Sequence, residues 1–327
     1  MNMKKLTSII LFALLLCITN LSFAQDDYKS YYEVRNQAME LHALGKYQEA
    51  TKLYEKAFSL AYPFPDDMKF LYQCYLQMNK DDIAYKVLQQ MVMCGYKLCP
   101  DTLPIVGYDM STWCERDSTI INNKRFLKEY DSLRLEYLKN IDIKANNYLI
   151  ANSIFEYFVA ELRFSGSDST ESKILNDKPF LVKTELLNDL LKSDKNIDRK
   201  HTDHWLDVRF LLSLMHSVQS LKEQFSQLDL LWEHLLRGNI LAEQYAFFYD
   251  NAIHQNDMNS GGIGVSLLGF QTILKVYKDD KGNEVEEYKV VLKDPENVDK
   301  YRKEKLLPPL WVWCKLNNIA LPEHYKY

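Results

Sequence analysis

Glycine and proline are scarce, at 10 and 9 among 327 residues. An all-β sandwich or barrel needs a turn every few residues, so this scarcity favours helices. Beyond the N-terminal segment no apolar run reaches the ~20 residues of a membrane span. No excess of basic charge is present, which argues against nucleic acid as a main partner. No nucleophile motif stands out, and no HExxH-type frame or cysteine pair supports a metal site. Cysteine is too sparse for a disulfide scaffold. Cys74, Cys94, Cys99, Cys114 and Cys314 lie beyond the first segment, an odd number. In an oxidising compartment at least one thiol is then free or intermolecular. Cys99 could pair with Cys94 or Cys114, and spacing does not decide between them.

What is present begins with an export signal. Lys4 and Lys5 precede an apolar stretch from Leu6 to Leu21, and Ser22-Phe23-Ala24 supplies small residues at the positions a signal peptidase reads. Residues 1–24 are expected to be a signal peptide, cleaved before Gln25. The remainder carries 38 basic against 45 acidic residues, a net −7. The expected location is periplasmic or secreted, in a Gram-negative bacterium.

Residues 38–63, AMELHALGKYQEATKLYEKAFSLAYP, set Ala38, Leu41, Gly45, Tyr47, Ala50, Tyr54, Ala57 and Pro63 in sequence. Small residues stand where two helices would touch, around a glycine turn. Shifting by 34 places Ala50 on Ala84, Leu41 on Tyr75, Leu53 on Val87, Tyr54 on Leu88 and Gly45 on Asn79. Glycine and asparagine best tolerate a left-handed helix stop, so the last match has a physical basis. The pattern resembles tetratricopeptide repeats over about residues 28–97, within a unit assigned to 25–100. A third repeat fails, so the second must lean on residues further along the chain. Tyr31, Tyr32, Phe70, Tyr72 and Tyr75 are candidates to line a concave peptide groove. Helical spacing alone favours packing for the same residues.

Residues 97–113 read as a loop, with helices expected at about 117–139 and 144–163. Residues 101–165 form a helical connector, and the polar stretch 163–173 suggests a boundary before a C-terminal unit, 166–327. His201 and His204 are neighbours on a helix face, but His216 is too far along the axis to share an ion with them. Structural histidines are the better reading; no metal or cofactor is assigned. Gly261, Gly262 and Gly264 follow a helical pattern and precede a strand-like one, the reverse of a phosphate loop. They read as a loop entering a small β-hairpin near 270–291. In KDPENVDKYRKEKLLPPLW (293–311), Asp294 is expected as an N-cap, Pro295 as the first helical residue, and the helix to run to about Lys305.

The C-terminal part resembles a family of exported bacterial domains of unknown function. The resemblance covers about 200–327 and rests on His216 in LMHS, Asp250 in AFFYDN, Leu268-Gly269-Phe270-Gln271, and Asp294 to Asp299 before Leu-Pro-Pro-Leu. Leu268 replaces an aromatic residue, and Tyr301 stands where the family prefers a basic one. If His216, Asp250, Gln271, Asn297 and Arg302 converge, they could form an acid–base and anion-binding site or a buried polar network. The fold class expected is mainly α: tetratricopeptide-like helical hairpins followed by a helical domain carrying a small β-hairpin. The function expected is binding of a protein or peptide partner in the cell envelope. The alternative is an envelope hydrolase or carbohydrate-binding protein acting through His216, Asp250, Gln271 and Arg302.

Overall fold

The computed structural model describes residues 27–98, 118–144, 199–200, 221–271, 273–278 and 284–326. These are mainly helical, with ten helices and one pair of strands among the described residues. Residues 1–24, His201, His204 and His216 lie outside them.

Helix α1 (Tyr28–Ala43) begins where the Asp27 side chain accepts the Ser30 N–H. Its buried residues, Tyr28, Tyr31, Tyr32, Arg35, Ala38, Met39 and His42, recur every three or four positions. That is one face of a helix, and its one cation is a feature to explain. Gly45 turns the chain with φ 75° into α2 (Tyr47–Leu60). Helix α3 (Pro65–Gln77) starts with proline, whose missing N–H costs nothing there, and with Asp66 and Asp67 at the positive end. Asn79, at φ 55°, makes the next turn into α4 (Asp81–Met93). Successive helices pack on one another, α1 on α2, α2 on α3 and α3 on α4. Ala38, Ala50, Ala57 and Ala84 are buried at these contacts, where a larger side chain would hold the helices apart.

The helix expected over 117–139 is split. A short α5 (Ser118–Ile121) ends, and the Asn123 side chain accepts the Phe126 N–H to start α6 (Lys124–Leu138). An asparagine that caps competes with continuing the helix through it. Helix α6 packs on α4. The C-terminal part contains α7 (Leu221–Leu236), α8 (Ala242–Asn259), strands β1 (Ile273–Lys278) and β2 (Glu284–Lys289), α9 (Val298–Glu304) and α10 (Leu310–Leu316). The strands pair antiparallel with Ile273 opposite Lys289. No helix among the described residues is long and apolar enough to cross a membrane.

The front helices and the C-terminal helices, expected as separate units, share a core. Tyr28, Tyr31, Tyr32 and Phe64 pack in one cluster with Leu231, Leu235, Tyr245 and Phe248. A second cluster holds α1 to α4 together and takes in Phe126 of α6 and Val312 of α10. Each fully buried side chain of this size contributes roughly 1.5–3 kcal/mol. The unsupported end of the second helix pair is thus covered by the rest of the chain. Cys74, Cys94 and Cys314 are buried free thiols; Cys99 and Cys114, the other residues of the suggested pairings, lie outside the described residues. Burial pushes the Cys74 thiol up to about 12, so it behaves as a small apolar side chain.

Candidate functional site

The residues that could carry chemistry in the C-terminal part converge on one loop, Ser266 to Gln271. Asp250, on the buried face of α8, is wholly inaccessible. One carboxylate oxygen accepts the N–H groups of Leu267 (2.6 Å) and Leu268 (3.0 Å). The other accepts the Ser266 hydroxyl and the N–H groups of Phe270 (2.8 Å) and Gln271 (3.3 Å). A carboxylate offers about four lone-pair positions, and five donors occupy them. Asp250 therefore has no lone pair free to take a proton from a substrate.

The loop is held on its other side as well. Ser266 exchanges backbone hydrogen bonds with Val291 and Lys293, its N–H donating to one and its carbonyl accepting from the other, both at 2.8 Å. Gly269 has φ 85°, and a Cβ there would lie 2.7 Å from the Leu310 side chain. The loop thus rests directly on α10, and only glycine allows it. Gln271 turns its side-chain amide back to the Phe247 carbonyl of α8 at 3.3 Å.

Arg302 completes the arrangement. It is fully buried on α9, with Nε donating to the Pro308 carbonyl at 2.7 Å and a second nitrogen donating to the Leu268 carbonyl. Its guanidinium lies 5.2 Å from the Phe270 ring centroid and 5.7 Å from that of Trp313. Burial lowers its pKa to about 10, leaving it a cation at neutral pH. Its role is to tie the loop to the two prolines after α9. Asp250, Gln271 and Arg302 are therefore brought together, as a polar network inside the fold.

Asn297 does not join them. It is exposed, and its amide donates to Asp294, which also accepts the Tyr301 hydroxyl at 2.9 Å. Helix α9 begins at Val298, three residues later than expected, because Asp294 closes a turn through Asn297 and Tyr301. Asp299 accepts the Leu310 N–H at 2.7 Å, capping α10, and the Tyr325 hydroxyl at 2.7 Å. Each charged residue of 293–311 that is engaged here serves architecture.

The glycine-rich stretch is likewise tied down. Asp257 accepts the Gly264 N–H at 2.9 Å, and a Cβ on Gly262 would lie 2.2 Å from that carboxylate. No phosphate-sized cradle is formed there.

Two clusters had no sequence signal beyond a charge on an apolar face. Arg35 is 1% exposed and pairs with Asp67 at 3.0 Å and Glu243 at 2.8 Å. The Tyr31 hydroxyl donates to Asp67 at 2.6 Å, and the Tyr32 hydroxyl accepts the Ala242 N–H at 3.1 Å. Burial raises the Asp67 carboxyl above its ordinary range, against the pull of Arg35. Arg199 donates to the carbonyls of Tyr62, Pro63 and Gly238, at 2.7, 3.0 and 3.0 Å. Both arginines link the front helices to the α7–α8 region.

The aromatic residues proposed for a peptide groove lie in these cores. Tyr31 and Tyr32 are completely buried, Tyr72 and Tyr75 nearly so, and Phe70 packs its ring 6.0 Å from that of His42. Residues spaced for one helix face are here used to pack it. Tyr72 also borders a cleft. A cleft of about 350 Å³ opens between α3, α4 and the α5–α6 turn. Tyr72, Leu76 and Ala84 line its apolar floor, and Asp81, Thr119 and Asn122 its polar edge. The Tyr72 hydroxyl donates to the Thr119 carbonyl at 3.3 Å, and Arg125 stacks 3.8 Å over the adjoining Tyr85 ring, fixing the walls.

No family model, curated protein or solved structure matches the chain.

Proposed function

We propose that this is an exported helical-repeat protein that binds a segment of a protein or peptide partner in the cell envelope, using the cleft between α3, α4 and the α5–α6 turn. The observation that carries this reading is the contrast between the two polar regions. Asp250 is saturated by internal hydrogen bonds and Arg302 is fully buried beside it, whereas the cleft combines an apolar floor with an exposed polar edge. Its volume is at the lower end of ligand sites, enough for one or two side chains of an extended segment. The tetratricopeptide-like arrangement of α1 to α4 is part of the proposal. It is supported by the paired packing, the alanines at the contacts, and the left-handed turns at Gly45 and Asn79. Kinship of the C-terminal part with exported bacterial domains is proposed on the residues of the closing segment.

The test is in-cell crosslinking of a tagged copy, with mass spectrometry of what is recovered. Asp81→Lys with Asn122→Lys reverses the cleft edge at exposed positions and leaves the core intact. A reproducible partner that is lost in this variant, with an unchanged urea midpoint, supports the proposal. A partner retained by the variant places binding elsewhere.

A further inference from the structure

Trp232 of α7 and Tyr245 and Tyr249 of α8 form a three-sided aromatic box. Tyr245 and Tyr249 are one helical turn apart and stack at 6.2 Å, while Trp232 meets Tyr245 edge-on at 5.2 Å. The ammonium of Lys305 sits within the box, 4.6 Å from the Tyr249 centroid, 5.5 Å from Trp232 and 5.8 Å from Tyr245. All three distances are within the range of cation–π attraction. Tyr245 is buried, whereas Trp232, Tyr249 and Lys305 are half-buried, so the box has an open side.

The backbone is arranged to deliver this lysine. Helix α9 ends at Glu304, and Leu306 takes a left-handed φ of 61°, a costly conformation for leucine. It is held there by burial of Leu306 and Leu307 and by the Asn36 amide, which donates to the Leu306 carbonyl at 2.9 Å. Among the described residues the Lys305 ammonium has no ion pair or side-chain hydrogen bond; Asp229 and Glu304 act on it only at longer range.

A box of aromatic faces attracts a cation but offers no lone pair to an N–H donor. The three N–H bonds of a primary ammonium must therefore turn to solvent. A cation with no N–H bonds gives up no hydrogen bonds by entering. We propose that the Trp232–Tyr245–Tyr249 box is a binding site for a quaternary ammonium group of the choline type, with Lys305 as an internal placeholder that a ligand displaces. This goes beyond the peptide cleft, which lies on other helices.

The experiment titrates choline chloride into the purified mature chain and follows the choline methyl signal by saturation-transfer NMR. Wild type binds weakly. Lys305→Ala binds at least tenfold more tightly, and adding Trp232→Ala removes the gain. The uncharged isostere 3,3-dimethylbutan-1-ol separates cation recognition from simple burial and is expected not to bind. Retention on phosphatidylcholine vesicles, with none on phosphatidylglycerol vesicles, would assign the site to a lipid headgroup. Binding of free choline alone would assign it to a soluble compound. A Lys305→Ala protein with a wild-type urea midpoint that ignores choline, or binds the isostere equally well, overturns the proposal. If Lys305→Ala does not fold, Lys305→Gln, which keeps most of the stem, must meet the same outcomes.

Discussion

Replacing Asp250 by alanine withdraws the acceptor from five donors at once. The Ser266 hydroxyl and the Leu268 N–H belong to residues at most 1% exposed, whereas Leu267, Phe270 and Gln271 are partly open to solvent. The three open N–H groups can regain water. The two closed donors cannot, and each unpaired buried donor costs about 1–3 kcal/mol. Charge-assisted bonds lie at the upper end of the range, so a loss of about 4 kcal/mol is expected. That is about a quarter or more of the stability of an ordinary domain. Urea unfolding followed by far-UV circular dichroism should show a lower midpoint with an unchanged slope. Asp250→Asn keeps one acceptor oxygen but points an amide donor at other donors, and should lose nearly as much. Ser266→Ala leaves the four backbone donors on Asp250 but takes the hydroxyl acceptor from the buried Gly269 N–H, 2.8 Å away, and should lose about 1–3 kcal/mol, less than Asp250→Ala. A loss below about 1 kcal/mol for Asp250→Ala would refute the view that this carboxylate organises the loop. A catalytic assignment would then be open again.

The same packing sets other expectations. His42 is buried among Tyr47, Tyr54 and Phe70, and burial lowers its pKa to about 4, against 6.5 in the unfolded chain. The unfolded state then takes up a proton that the folded ring refuses. Stability is therefore intact above pH 6.5 and falls by about 3 kcal/mol as pH drops toward 4. His42→Phe should flatten that part of a pH series of urea midpoints relative to wild type. Arg35→Ala leaves Asp67 and Glu243 without their cation and should cost about 3–5 kcal/mol by urea unfolding, whereas Arg35→Met with Asp67→Leu and Glu243→Gln should recover much of it. Gly238→Ala should lower the thermal midpoint far more than Gly45→Ala. Both have φ near 75°, but a Cβ at Gly238 would fall 1.8 Å from the Tyr28 ring, while Gly45 faces open space.

Local features are the most legible part of the sequence. Gly45 and Asn79 stand at left-handed turns because few other residues accept that conformation at low cost, and the same preference is visible in the letters. The bounds of α1 to α4 follow from apolar spacing, proline and acidic first turns. The letters place the start of α9 too early because DPEN satisfies both a capped helix and a turn, and the choice rests on Tyr301 reaching back to Asp294. The convergence of Asp250, Gln271 and Arg302 could be suspected, but not their saturation by backbone donors. Arg35 and Glu243 are 208 positions apart, and Arg199 reaches Tyr28 across 171, so no periodicity reports either contact. The aromatic side chains of α1 and α3 show the limit plainly: helical spacing does not distinguish a stripe that faces a groove from one that faces a core.

The central claim is that the α3–α4 cleft receives a partner while the C-terminal polar network only supports the fold. A photo-crosslinking amino acid at Asn122, on the cleft edge, tests it most directly when compared with the same group at exposed Glu296. Illumination of intact cells should yield one discrete adduct from the Asn122 position and none from Glu296. Adducts from both positions, or from neither, would contradict the account.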